Sequence, residues 1–268
     1  MTPEDIGEQI KREPVQTTNR AIETTETAFE VVEAVRSLDG VRVTELAAEL
    51  DMVKSTVHRH LTTLHELGYL VKKGEQYYVS LKFVPLGEAA RTRKRSYSKL
   101  RPKVAALAEQ TNESAQFLVP EHGRAVYVHR ETGRNAIDTP NSSIGDPIPL
   151  HASAAGKAIF ACYPSETVDE IADRTGLEPL TDNTITDREA LREELADIRS
   201  EGYSVNDEEA IEGVYAVGVP IKRTDGTPLG ALSISGPAHR LRGDQSEREL
   251  ADKLLETANE LELNIAYS

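Results

Sequence analysis

From Thr25 the apolar residues Ala28, Val31, Val32 and Val35 recur at the spacing of one helix face up to Leu38, and Asp39-Gly40 ends the run. A short helix, ELAAEL, follows, with Thr44 as its cap and Leu46, Ala47 and Leu50 on the inner face. Asp51-Met52-Val53 leaves room only for a tight turn. The next periodic segment runs from Lys54 or Ser55 to Leu67, buries Val57, Leu61 and Leu64, and stops at Gly68. Tyr69–Val71 and Gln76–Leu81 then alternate around Lys72-Lys73-Gly74-Glu75 as a small β-hairpin. Helix, helix, three-residue turn, helix, hairpin is the order of a winged helix-turn-helix, assigned to residues 19–85. Residues 1–18 are polar and contain Pro3 and Pro14, which predicts a disordered arm.

The pattern changes after residue 85. Leu86–Arg95 reads as a helix, and residues 86–96 as a linker. Pro102 fits the first turn of a further helix that buries Val104 and Leu107 and runs to about Gln110. Gln116–Val119 and Ala125–His129 alternate as strands around Glu121-His122-Gly123. Helices are predicted at Ala154–Cys162, Ser165–Thr175 and Asp187–Gly202, the third with a capping box of Thr186 and Glu189. Val214–Lys222 and Leu229–Ser235 form an antiparallel hairpin through Thr224-Asp225-Gly226, and a last amphipathic helix spans Gln245–Leu263. Helices beside a mainly antiparallel sheet make residues 97–268 an α+β domain rather than a doubly wound one.

Composition adds an asymmetry to this outline. The 268 residues carry a formal charge of −14, yet residues 52–103 hold twelve Lys and Arg against Glu66, Glu75 and Glu88, a net +9. That window contains the second helix of the helix-turn-helix and the hairpin. It reads as a surface built to meet a polyanion, double-stranded DNA above all. The outward residues Lys54, Ser55, Thr56, His58, Arg59 and Thr62 all donate hydrogen bonds and none is acidic. Lys54 and Arg59 suit guanine edges or phosphates, Ser55 and Thr56 either, and Lys72 and Lys73 on the wing suit phosphates. Thr44, opening the preceding helix, joins this DNA-facing set. The acidic remainder predicts a protein hydrated in concentrated salt, and so a halophilic cytoplasm. No apolar stretch is long enough for a membrane helix, no secretory signal opens the chain, and the lone Cys162 excludes an intrachain disulfide framework.

Enzymatic alternatives find weak footing. SAAGKA lacks two residues of a phosphate loop, because His151 and Ala158 stand where Gly and Ser or Thr are required. Ser153 and Lys157 are not spaced as a serine–lysine dyad, and His151 with Cys162 has no third group fixed by spacing. His122, His129 and His239 lack metal-ligand spacing, and Asp207, Glu208 and Glu209 read as solvated carboxylates. No cofactor and no metal are expected. The competing possibility is a small-molecule-converting enzyme fused to a nucleic-acid-binding module.

TELAAELDMVKSTVHRHLTTLHELGYL resembles the DNA-binding half of the IclR family of transcriptional regulators. GDPIPLHASAAGKAIFA (145–161), GYSVNDEEAIEGVYAVGVPI and GALSISGPAHRL, between 202 and 241, are similar to signature segments of that family's effector-binding domain. The resemblance covers the chain from about Thr18 onward. It implies a homodimeric or homotetrameric repressor or activator, with a winged helix on operator DNA and a GAF/profilin-like domain sensing a small organic acid. It also implies an effector site: the N–H groups of Ala154 and Ala155 at a helix start, Ser233 and Ser235 on a strand, and two positions where this chain departs from the family. Asn206 replaces a usual acidic residue and Ala216 a cysteine found in some members, which points to a carboxylate at least as large as a short keto acid.

Overall fold

The computed structural model describes residues 22–137 and 139–266, so the arm expected over residues 1–18 lies outside the described residues. The chain divides into two compact units, one ending at Glu88 and the other beginning at Ala89.

In the first unit, α1 (Glu23–Ser37) ends where Asp39 and Gly40 take positive φ angles of 47° and 105°. The short strand β1 (Val41–Arg42) leads into α2 (Val43–Glu49), and α3 (Lys54–Glu66) follows the turn through Asp51. Strands β2 (Leu70–Lys73) and β3 (Gln76–Val79) complete a three-stranded antiparallel sheet of order β1-β3-β2. Val31, Val35, Leu46, Val57, Leu61, Leu70 and Tyr77 form the core beneath it. Two local expectations are corrected. Thr44 does not cap α2; β1 delivers the chain in extended geometry two residues earlier, so Arg42 is the cap and its N–H donates to Glu45 Oε2 at 2.8 Å. Lys72 and Lys73 belong to β2, because Lys73 pairs with Gln76 and only Gly74-Glu75 is left to turn, with Gly74 at φ +61°.

Helix α4 (Phe83–Thr92) starts before the expected linker and stops short of residue 96. Lys94 is extended and opens α5 (Arg95–Thr111), so Pro102 sits inside that helix and not in its first turn. The second unit continues with β4 (Ser114–Glu121) and β5 (Arg124–Thr132), joined at His122-Gly123, both with positive φ. Next come β6 (Pro147–Pro149), α6 (Ala154–Ala161), α7 (Ser165–Thr175) and α8 (Arg188–Glu201). Then β7 (Ser204–Asp207), β8 (Val214–Lys222), β9 (Pro228–Pro237), α9 (Ala238–Leu241) and α10 (Asp244–Ala266) complete it. The cap of α8 is Asp187, accepting from the Ala190 N–H at 2.9 Å, one residue after the expected Thr186.

The six strands lie in the order β6-β5-β4-β9-β8-β7 with every neighbouring pair antiparallel, so the α+β expectation holds. Strand periodicity sends Phe117, Val217, Leu232 and Ile234 to one face, against Leu100 and Val104 of α5 and Leu254 of α10. Leu118 and Ala231 face the other way, against Ile159 and Phe160 of α6 and Leu191 and Leu195 of α8. On this second face the first residue of α6 presses closely on β8: a Cβ at Gly218 would stand 2.6 Å from the Ala154 carbonyl carbon. Gly218→Ala is therefore expected to lower the unfolding free energy by about 1–3 kcal/mol, because the obstacle is backbone and cannot rotate away. Urea denaturation measures it, and an unchanged midpoint would show that the helix end moves freely.

Candidate DNA interface and effector cavity

Val57 and Leu61 fasten α3 to the first unit's core and turn its opposite side outward. Lys54, Ser55, His58 and Arg59 are exposed there, while Thr56 and Thr62 are half-buried. The first turn of α3 holds no acidic residue, and its cap, Val53, supplies no side-chain acceptor. The free N–H groups at this end therefore add to the positive character of Lys54. On the wing, Lys72 stands over the Tyr77 ring at 5.2 Å and Lys73 over Tyr78 at 5.4 Å, contacts that hold both ammonium groups at the surface. Thr44 is exposed in the first turn of α2.

In the second unit the β-sheet register assembles a row of small side chains. Asn206 pairs with Ala216 and Ala216 with Ser235; one step along, Ser204 pairs with Gly218, Gly218 with Ser233, and Ser233 with Gln116. These positions share the face toward α6, and a cavity opens between them and the helix start. Its lining includes Ala154, Ala155, Asn206, Ala216, Ser233 and Ser235, and its empty space, mouth included, is about 580 Å³. Among the described residues no acidic or basic side chain lines it.

The polar atoms around the cavity fall into two groups. Some are matched within the protein. Ser233 Oγ donates to Gln116 Oε1 at 2.9 Å, and Gln116 Nε2 donates to Ser235 Oγ at 2.8 Å. Asn206 Nδ2 donates to the Ala152 carbonyl at 2.5 Å, and its Oδ1 accepts from the Glu209 N–H at 3.2 Å. The amide expected to meet a ligand thus ties the segment after β7 to the approach of α6. Others are open. Ser153 caps α6 by accepting from Gly156 N–H at 3.1 Å, and the Ala154 and Ala155 N–H groups have no partner among the described residues.

Sequence reasoning missed Gln116 and the cluster behind the cavity. Lys157 is 1% exposed, and its Nζ donates to Glu194 and to Glu209, each at 2.6 Å. Glu209 is buried, which corrects the expectation of three solvated carboxylates. Burial pushes its pKa up while Lys157 pulls it down, and the rise prevails. Asp207 and Glu208 pair with Arg242. The apolar flanks of Lys157 in AAGKAIFA were the available signal: a lysine on a helix apolar all round is buried, and a buried ammonium needs carboxylates.

The remaining candidates are engaged elsewhere. His151 bonds the Glu178 carbonyl at 3.0 Å, and Cys162 Sγ lies 3.5 Å from the Ala158 carbonyl. His129 donates from Nε2 to the Tyr97 carbonyl at 2.7 Å, and burial holds its pKa below the usual imidazole value. His122 and His239 are exposed. Among the described residues no group of three or more His, Cys, Asp or Glu side chains is placed to hold a metal, and no helix is long and apolar enough to cross a membrane.

A winged helix with a basic reading face, followed by an antiparallel α+β unit around a cavity, defines a ligand-responsive DNA-binding regulator. Residues 24–74 match the IclR helix-turn-helix domain, and residues 93–263 match the bacterial transcriptional regulator IclR C-terminal domain. The chain belongs to the IclR family of transcriptional regulators. It is 31% identical over 241 residues to the probable HTH-type transcriptional regulator ArcR of Halobacterium salinarum, spanning 89% of this chain and 92% of that one. Identity to the transcriptional repressor IclR of Escherichia coli is 29% over 227 residues, 83% of this chain and 82% of the relative. The crystal structure of the Thermotoga maritima IclR shares the fold with a TM-score of 0.77 at 29% identity, covering 92% of this chain and all 100% of the other. An IclR homologue from Microbacterium hydrocarbonoxydans, solved in complex with 4-hydroxybenzoate, gives a TM-score of 0.76 at 21% identity over 91% and 100% of the two chains. The family and these relatives are regulators, so the enzyme alternative falls.

Lys157→Met would leave Glu194 and Glu209 facing each other across a buried space. A loss of about 3–5 kcal/mol in urea unfolding is expected, with part recovered in Lys157→Met/Glu209→Gln. Equal losses in the single and double variants would refute a charge-based role. Asn206→Asp should cost about 1–3 kcal/mol, since a carboxylate oxygen would replace the donor facing the Ala152 carbonyl. The same unfolding curves check this.

Proposed function

We propose that this regulator binds operator DNA through α3 and the wing and releases or rearranges on it when a small carboxylate metabolite occupies the cavity of the second unit. The observation that carries the reading is the pairing of a neutral cavity lining with the unmatched Ala154 and Ala155 N–H groups at a helix start, where the helix dipole favours an anion. The hydroxybenzoate bound by the Microbacterium homologue is an acid of suitable size, which supports the same class here.

The protein is read as a homodimer or homotetramer acting in the cytoplasm. Phe29, Leu81, Val84 and Leu86 are exposed by more than half, and large apolar side chains on a surface favour a partner subunit. Effector binding then favours one arrangement of the subunits, altering the spacing of two α3 helices and with it operator affinity. The proposed domain limits are residues 19–85 for DNA binding, 86–96 for the linker and 97–268 for effector sensing. Binding of a panel of organic acids, followed by operator binding with and without the acid that binds, tests the reading. An acid that binds the cavity without changing operator affinity would sink it.

Lys54→Ala and Arg59→Ala should each weaken operator binding by about 1–3 kcal/mol with little effect on scrambled DNA, the mark of base contacts. Lys72→Ala and Lys73→Ala should weaken both DNAs alike, as phosphate contacts do. Fluorescence anisotropy on the two DNAs separates the cases, and four unaffected variants would remove α3 and the wing from the interface. The acidic body and the basic window together favour a halophilic setting. Operator binding should then persist at roughly molar potassium chloride, where binding driven by counterion release fails. Release of the operator by a few tenths molar salt, from protein folded in dilute buffer, would overturn it.

A further inference from the structure

Arg130 on β5 lies opposite Gln116 of β4, the residue that joins Ser233 to Ser235, and so on the face of the sheet that carries the cavity. Its hydrogen bonding among the described residues consists of one long contact, from Nη2 to Thr139 Oγ1 at 3.4 Å, and Thr139 lines the cavity. The Arg130 Nε is buried without a partner, and no described carboxylate forms an ion pair with this guanidinium. Two pairs further along the strands, past Phe117 and His129, Leu118 stands opposite Tyr127, and both line the cavity. The Tyr127 hydroxyl has no hydrogen-bond partner among the described residues. Burial pushes its pKa to about 12, with the Arg130 charge opposing and Asp146 adding to the rise, so the phenol stays a donor. Asp146 itself accepts from the Ser143 N–H at 3.0 Å.

A fixed cation with an unused, buried N–H is costly unless an acceptor meets it, and a guanidinium matches a carboxylate with paired hydrogen bonds. This cation does not itself line the cavity but stands behind Thr139, which does, on the strand farther from the unmatched N–H groups of α6. Arg130, Gln116, Ser233 and Gly218 stand abreast on four neighbouring strands, and Ala154 packs on Gly218. Three strand spacings separate Arg130 Cα from that seat, about 14 Å, of which the long arginine side chain spans a good part. Resting on the reading of the cavity as the effector site, we infer that the effector is a short dicarboxylate, one acid group at the start of α6 and the second held by Arg130 and the Tyr127 hydroxyl.

Calorimetric titration of the full chain with succinate, glutarate and adipate, each against its monomethyl ester, tests the inference. At least one diacid should bind roughly ten-fold or more tightly than its ester, which keeps a single carboxylate. Arg130→Gln should erase that difference while leaving the ester's affinity unchanged, and Tyr127→Phe should shrink it. Arg130→Lys, which keeps the charge but loses the paired geometry, should retain part of the preference and decides the matter should Arg130→Gln not fold. Diacid and ester binding equally, or Arg130→Gln weakening both alike, would overturn the inference and leave the effector cavity standing. Failure of every acid to bind would overturn both.

Discussion

A helix can bring its backbone against a strand in the middle of a sheet only where that strand offers no side chain, and the second unit is organised around that meeting of the start of α6 with β8. Gly218 supplies the gap on the strand, and Gly156 supplies another where α6 packs on the Leu150 carbonyl. Ser204 Oγ donates to the Ala154 carbonyl at 2.6 Å and locks the contact. With the helix end fixed there, the sheet positions beside it must be small, and Ala216, Ser233 and Ser235 are. The space they leave is the cavity. A leucine at any of these positions would fill it.

The same seating dictates the buried charge cluster. Lys157 lies in the first turn of α6, where apolar neighbours on all sides deny it water, and its length carries the ammonium to Glu194 of α8 and to Glu209. Two carboxylates share one cation, and Glu209 Oε2 is left buried without a partner. Buried ion groups of this kind add little net stability against an apolar alternative, but their removal in part is costly, so they specify geometry. What this one specifies is the segment between β7 and β8. Thr181 and Thr184 hydroxyls hold the Glu209 carbonyl, Arg242 holds Asp207 and Glu208, and Ala210 and Ile211 between them form one wall of the cavity. Wall, helix end and sheet are thereby one mechanical object.

Much of this was legible in the chain, and the failures share a cause. Period 3.6 followed by period 2 located α1, α3 and the wing, and the Asp-Gly turn placed β8 beside β9, because those signals are local. The sequence points to Thr44 and Thr186 as caps, yet Arg42 and Asp187 hold the positions; the entering backbone decides which residue is extended, and composition does not show it. Pro102 suits a helix start because its ring is tolerated there, whereas α5 carries it internally. Glu209 looked solvated beside Asp207 and Glu208, since its lysine partner is fifty-two residues away. Asn206, expected at the ligand, lines the cavity, and its amide also bonds backbone on both sides, which the sequence does not show. Distant pairings decide which polar atoms remain open, and one sequence does not display them.

That distinction between matched and open polar atoms bears on how such a cavity can act. More than nine-tenths of buried polar groups in folded proteins find partners, so exceptions gathered in one place call for an account. Here the serine hydroxyls, the first groups the sequence suggests, are each engaged by Gln116, Ser233 as donor and Ser235 as acceptor. The unmatched acceptor Glu209 Oε2 belongs to the charge cluster behind the wall. Among the described residues the unmatched groups facing the cavity include donors, two backbone amides and a phenol, with the Arg130 Nε behind Thr139. Each costs of the order of 1–3 kcal/mol while unmatched, which the rest of the fold must bear. An anion that satisfies them is therefore bound at the expense of strain already present, and it stabilises the folded unit by mass action. Because the wall, the helix end and the sheet are fixed to one another through Lys157, Asn206 and Gly218, relief at the donors acts on all three together, and that is how occupancy of a small cavity could alter the geometry of a whole domain.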